Sequence, residues 1–315
     1  MGYKTKIFIL AILSIVLTSL FLFWDIGDHW EYILPRRTEK IFAIILTGSC
    51  IAFSTIVFQT ITNNRILTPS LIGLDSLYML IQTAIVFLFG STTLAMMERE
   101  QHFILSVGLM VLFALLLFKF IFKKGGRQIY FLLLIGIIMG TFFESISSFM
   151  QVLIDPNEFL VVQDSMFASF NNVNTDLLVI SVILIILVSL YFIRFVKYLD
   201  VISLGRDHAL NLGVNYASVV QQLLIVIAIL VSISTALVGP ITFLGLLVAN
   251  VAHEFLRTYR HSYLIIGSIL ISIVALVGGQ LIVERVFTFS TTVSVIINFI
   301  GGVYFIYLLL KENKS

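Results

Sequence analysis

The side chains that do chemistry are scarce in this chain. Cys50 is its single cysteine and sits in an apolar run, so neither a disulfide framework nor a cysteine-based metal cluster is available. The five histidines, His29, His102, His208, His253 and His261, share no ligand spacing. His253-Glu254 opens a His-Glu-x-x-His pattern, but Arg257 stands where the second histidine belongs, so the zinc signature fails. No Gly-x-x-x-x-Gly-Lys-[Ser/Thr] occurs either, so the chain has no P-loop with which to cradle a nucleotide.

Carboxylates inside the apolar runs are few; Asp75 and Glu144 stand out among them. A charge at mid-membrane costs about 2.5–3.5 kcal/mol on insertion scales, so such a residue faces a cavity or a partner. Glu144 follows Gly136, Gly140 and Thr141 and precedes Ser145, Ser147 and Ser148, a mixture suited to a closely packed or pathway-facing surface. Glu144, Ser145 and Ser148 are therefore candidate lining residues of a translocation route. The alternative is a buried, hydrogen-bonded structural acid. Asn250, Gln280 and Asn298 read as polar glue between helices, and so few ionisable groups do not make a proton relay.

The elements that must position these residues follow from composition. The chain is 59% hydrophobic and only 11% charged, against about 25% charged in soluble domains, and its mean hydropathy is +1.09. Apolar runs near the roughly 20 residues needed to cross a bilayer recur at Ile7–Phe23, Ile41–Ile61, Leu71–Gly90, Phe103–Phe122, Ile129–Leu153, Leu177–Phe195, Ala217–Val238, Ile241–Leu256, Tyr263–Val283 and Thr292–Leu310. The expected fold is all-α, a polytopic membrane protein of about ten spans. The eighth run is short and abuts the seventh through Gly239-Pro240, so nine or eleven stay open. Trp24-Asp25 after the first run is no small-x-small cleavage site, and that run is read as a retained helix.

Charge orients the spans. With the N-terminus inside, 14 of 19 Lys and Arg are cytoplasmic: Lys4, Lys6, Arg65, Lys119, Lys123, Lys124, Arg127, Arg194, Lys197, Arg206, Arg257, Arg260, Lys311 and Lys314. Arg36, Arg37, Lys40, Arg99 and Arg285 fall outside, with 11 of 17 acidic residues, Asp28 among them. Ten spans with both termini cytoplasmic obey the positive-inside rule, and dropping one scrambles it. Residues 1–315 thus read as one transmembrane domain with no soluble domain. The longest interval, Ile154 to Asp176, reads as a short helix at the outer surface or as an ordinary loop. Trp24, Trp30, Tyr32 and Tyr130 lie near span ends, where amphipathic rings are usual.

Between the sixth and seventh runs, Leu199 to Val214 keeps a helical apolar pattern within a polar, cytoplasmic interval. Leu204, Ala209 and Leu212 with Gly205 and Gly213 predict a short amphipathic helix opened by one glycine and closed by the other, Asp207 lying in its first turn. A helix this short is marginal alone, so it must be held against something.

These segments together resemble the FecCD family of bacterial ABC-importer permeases, which move iron–siderophore complexes, haem or vitamin B12. The family's Leu-Gly-x-x-x-Ala-x-x-Leu-Gly is matched by Leu204-Gly205-Arg206-Asp207-His208-Ala209-Leu210-Asn211-Leu212-Gly213. Its Leu-Pro-Arg is similar to Leu34-Pro35-Arg36, its Gln…Pro-x-Leu-Leu-Gly segment to Gln59 through Gly73, and its Gly-Pro-Ile-x-Phe segment to Gly239 through Asn250. Departures are Ala249-Asn250 in place of Pro-His and Ser290 through Ser294 in place of Glu-Leu-Pro-x-Gly. The lack of Pro-His resembles petrobactin- or catecholate-type permeases.

The resemblance implies a permease subunit rather than an enzyme, moving a ferric siderophore across the bacterial cell membrane. It implies two ATP-binding subunits, a second permease that is self or a homologous sister, and an extracytoplasmic substrate-binding lipoprotein. No cofactor is expected in this chain, since ATP is used by the partner, and no nucleic acid is expected. Leu204, Gly205, Arg206, Asp207, Ala209, Leu212 and Gly213 would form the coupling loop on the ATPase. Arg36 would meet acidic residues of the lipoprotein, with Arg37 and Arg285 as further outer cations. An ion-coupled secondary transporter of a small solute is the alternative, predicting charged networks within the spans. A polytopic membrane enzyme would need a cluster of His, Asp or Glu at one face.

Overall fold

The computed structural model describes residues 2–25, 29–90, 98–122, 129–171 and 173–312. Asp28, Lys123, Lys124, Arg127 and Lys314, counted above, lie outside the described residues. Within them the chain is helical. The ten expected spans correspond to α1 (Tyr3–Phe23), α2 (Trp30–Thr62), α3 (Leu74–Phe89), α4 (Arg99–Phe122), α5 (Ile129–Leu153), α7 (Thr175–Phe192), α10 (Tyr216–Val238), α11 (Leu244–Leu256), α12 (His261–Arg285) and α13 (Val293–Glu312). Three shorter helices join them: α6 (Pro156–Met166), α8 (Val196–Ile202) and α9 (Arg206–Asn211). The interval 154–176 therefore contains a helix, started by the Asp155 carboxylate accepting from the Asn157 N–H at 2.9 Å.

Eight of the ten are long and apolar enough to cross a membrane, and α3 and α11 fall short. At about 1.5 Å per residue the 13 residues of α11 cover about 20 Å, less than a hydrocarbon core of about 30 Å. Each short helix is preceded by irregular backbone. A 3₁₀ turn, Pro69–Ile72, precedes α3, and the buried stretch from Gly239 to Ile241 precedes α11. Non-helical backbone at membrane depth survives only when buried in protein or lining a cavity. Polar side chains sustain it here: the Asn298 Oδ1 accepts from the Phe243 N–H at 3.3 Å, and both Gln59 and Asn250 donate to the Arg65 carbonyl. Asn250 and Asn298 thus act as the polar glue expected of them.

Helices α2 and α10 are the most enclosed spans, whereas α1, α7 and α13 expose most of their apolar faces. Burial on every side explains why α2 carries buried polar residues such as Thr47, Ser54 and Gln59 among its isoleucines and alanines. Helix α2 also starts eleven residues before its apolar run, at Trp30 rather than Ile41, because helix continues through the charged turn Arg36–Lys40. Lys6 donates to the Phe255 carbonyl and Tyr3 stacks on Tyr263, which places the amino terminus, α8, α9 and the start of α12 at one end of the bundle. Trp24, Arg37, Glu39, Asn171, Thr175 and Glu284 meet at the other end. Exposed Trp24, Trp30 and Tyr32 mark that second end, and exposed Tyr130 lies at the start of α5.

Candidate functional site

Three places gather the residues singled out above, and each is built by a different feature of the fold. At the amino-terminal end, α8 drives Leu199 and Ile202 into the core and the chain turns at Gly205. Gly205 has φ +97° and Gly213 φ +82°, conformations that L side chains rarely adopt, so both bends depend on glycine. Between them α9 holds Asp207 in its first turn, and Val214 N–H returns to the Ala209 carbonyl at 3.0 Å to close the helix. Ala209 is fully buried and Val214 and Tyr216 anchor the exit, the Tyr216 hydroxyl meeting the Ile61 carbonyl at 3.5 Å.

What remains outside is an apolar surface in a polar loop. Leu204, Leu210 and Leu212 are 59%, 45% and 64% exposed, ringed by exposed Arg206, Asp207 and His208. Leu210 was missed from the sequence, where it falls at a variable position of the Leu-Gly-x-x-x-Ala-x-x-Leu-Gly motif. The predicted helix, its opening glycine and its closing glycine all stand where the pattern put them.

Along one flank of the bundle lies a groove of ≈ 350 Å³ between α3, α5, α11 and α13. Its walls include both irregular segments, through Thr68, Ser70 and Thr242, and both membrane-depth carboxylates, Asp75 and Glu144. Thr235 donates to Asp75 at 3.1 Å, and Ser76 donates to Glu144 at 2.9 Å. Glu144 is nonetheless exposed on this chain, as are Ser145 and Ser148, with Ser145 donating back to the Thr141 carbonyl at 2.8 Å. A carboxylate exposed at that depth needs something other than lipid opposite it. Ser76 and Thr242 were not foreseen; their places next to Asp75 and two residues after Pro240 are the signals the sequence carries for them.

At the opposite end, a depression of ≈ 460 Å³ is lined by Arg36, Arg37, Lys40 and Arg99 together with Glu39, Glu284 and three aromatic rings. The three arginines proposed for this rim have different surroundings. Arg37 donates to the carbonyls of Phe21, Leu22 and Trp24 at 3.1, 3.2 and 2.7 Å, satisfying acceptors that the end of α1 leaves open. Arg285 donates to Asp25 at 2.8 Å and to the Trp24 carbonyl at 3.0 Å. Arg36 is exposed, lies 4.2 Å over the Tyr32 ring and makes no ion pair among the described residues.

No group of three or more His, Cys, Asp or Glu that would hold a metal ion occurs among the described residues.

Comparison with known proteins places the chain among its relatives. The chain is 67% identical over 315 residues, all of both chains, to the petrobactin import system permease protein YclO of Bacillus subtilis. It is 38% identical to the petrobactin import system permease protein FatC of Bacillus anthracis over 89% of this chain and 79% of that one. Among solved structures, a transporter described as of metal-chelate ABC type, in an inward-facing conformation, superposes with a TM-score of 0.83 at 21% identity, covering 98% of this chain and all of the other. With the FecCD transport family model matching residues 5–311, the chain belongs to that family.

Proposed function

We propose that this chain is the permease subunit of an ABC importer whose cargo is ferric petrobactin. The observation that carries the reading is the 67% identity, over the whole length of both chains, to a petrobactin import permease. On this reading residues 1–315 form a single transmembrane permease domain with both termini in the cytoplasm. The loop at about 199–214 couples it to one of two ATP-binding subunits, and a substrate-binding lipoprotein delivers the chelate from outside.

The second permease is a sister rather than a second copy. Bacillus anthracis has two permeases named for a petrobactin import system, FatC and FatD, and this chain is 38% identical to the first and 28% to the second. It therefore takes the place of FatC beside a FatD-like partner. The groove carrying Asp75 and Glu144 opens on the flank where that partner would complete a passage, which gives the exposed Glu144 a polar surrounding. Iron arrives wrapped in its chelator, so the passage needs width and hydroxyls rather than metal ligands. Loop motion driven by the ATPase would switch the two permeases between outward- and inward-open arrangements.

The test is uptake of radioactive iron by cells expressing this chain with a FatD-like permease, an ATPase and a lipoprotein. Ferric petrobactin is expected to enter at a rate at least tenfold above a ferric hydroxamate, and equal rates for the two would refute the cargo.

The rim yields a second expectation. Arg36→Glu should weaken capture of the lipoprotein most at low salt, because rim charges steer association and are screened within about 8 Å at physiological ionic strength. Its own melting temperature should not change. Arg37→Ala should do the reverse, lowering stability by about 1–3 kcal/mol by leaving the α1 carbonyls unpaired while sparing capture. Binding measured at two salt concentrations beside thermal unfolding in detergent separates them, and identical behaviour of the two variants would remove Arg36 from the docking surface.

A further inference from the structure

Both ends of α12 are fastened by charged side chains to the parts of the molecule that face other subunits. At the coupling end Asp200, on α8, accepts from the His261 backbone N–H at 2.9 Å and faces His261 Nδ1 at 2.6 Å. His261 is the buried first residue of α12, so one carboxylate both caps the helix and fixes its first side chain. A hydrogen-bonded turn joins this contact to the coupling helix, Gly205 N–H bonding back to the Ile202 carbonyl at 2.9 Å.

At the other end Glu284 pairs with Lys40 of α2 at 3.1 Å, in a site where the two side chains are 9% and 18% exposed. Gln280 braces the pair by donating to Glu284 at 3.0 Å and to Asn171 at 3.2 Å. Lys40 lines the same depression as Arg36, so the fastening abuts the surface assigned to the lipoprotein. Between the two ends α12 runs for 25 residues without a proline, about 37 Å at 1.5 Å per residue. It lies tightly on α2 where Gly48 meets Ser272 and Leu276. A stiff, close-packed helix displaced at one end is displaced at the other.

We propose that α12 is the transmission rod of this permease, and that Asp200–His261 and Glu284–Lys40 are its two positioning pairs. Through them the arrival of a loaded lipoprotein at one end changes the coupling helix at the other and stimulates hydrolysis by the ATPase. The proposal rests on the coupling role given to Gly205–Gly213. Neither pair lines the groove that carries Asp75 and Glu144.

The test uses the complete transporter in lipid vesicles, with hydrolysis measured alone and with lipoprotein carrying ferric petrobactin. Glu284→Gln should retain ATPase capture and basal hydrolysis but lose about tenfold of the stimulation, an ordinary size for coupling between sites; Asp200→Ala, which falls within the coupling loop, should lose the same stimulation when hydrolysis is counted per ATPase bound. The double variant should be no worse than either single, because both interrupt one rod. Exchanging the outer charges, Lys40→Glu with Glu284→Lys, should restore stimulation, which a general loss of packing would not allow. Unchanged stimulation in Glu284→Gln, failure of the exchange to restore it, or additive losses in the double variant would overturn the proposal. Should Asp200→Ala not assemble, Glu284→Gln and the exchange decide alone. Leu212→Glu, measured alongside, reports on the coupling loop itself: if it leaves the ATPase bound, the loop assignment has failed and not the rod.

Discussion

Replacing Leu212 with glutamate should strip the ATPase from this permease while leaving the permease folded. Leu212 is 64% exposed, with Leu204 and Leu210 beside it 59% and 45% exposed, so the substitution removes little packing within the chain. Full burial of one leucine is worth about 1.5–3 kcal/mol, and a glutamate in its place adds an unpaired charge to an apolar seat. A combined loss of about 3 kcal/mol or more corresponds to over about 100-fold in affinity. Co-purification of the ATPase with the tagged chain, followed by iron uptake, reads the effect. Leu212→Met should behave as the unmodified chain. Bound ATPase should fall by half if a sister permease keeps its own loop, and nearly to zero if the partner is a second copy, so one experiment reads both coupling and pairing. Full ATPase recovery with undiminished uptake would end the coupling assignment. Gly205→Glu and Ala209→Asp should abolish uptake too, by a different route. The first forces a side chain into φ +97°, and the second buries a charge at a fully enclosed position.

That loop was readable because everything that makes it is local. Glycine at both ends, an acid in the first turn and apolar residues at helical spacing specify a short helix without reference to the rest of the chain. Eight of the ten spans were readable for a similar reason, bilayer thickness imposing a length on their apolar runs, whereas the shorter α3 and α11 were readable by apolar content alone. What the sequence hid depends on contacts between distant segments. Arg36 and Arg37 are neighbours with the same charge, yet only the second reaches the end of α1, and nothing in the order of residues distinguishes them. Glu144 was flagged by its cost in hydrocarbon, but its partner Ser76 and the groove they share exist only once α3 lies on α5. Asp200 and His261 lie 61 residues apart on different helices and look unremarkable until the ends of α8 and α12 are brought together.

The fold that creates the groove depends on a methyl group that is absent. A Cβ added at Gly136 of α5 would lie 2.4 Å from the Leu71 carbonyl oxygen and 2.9 Å from the Ile72 Cα, both backbone atoms of the 3₁₀ turn before α3. Backbone cannot rotate aside as a side chain can, so Gly136→Ala must push α5 and that turn apart. Overpacking of this kind costs typically 1–3 kcal/mol. The displaced segments carry Ser70, Leu71 and Ser76 on one side and Glu144 on the other, so uptake should fall further than stability does. Gly108→Ala and Gly302→Ala are the controls, since nothing stands within 4 Å of either added methyl. Within a helix, alanine is favoured over glycine by about 0.8–1.0 kcal/mol, so both should melt at or above the original temperature. Thermal unfolding of the purified chain in detergent checks all three. If Gly136→Ala melts like the controls, α3 and α5 do not meet as described, and the groove that their contact shapes loses its claim to be the passage.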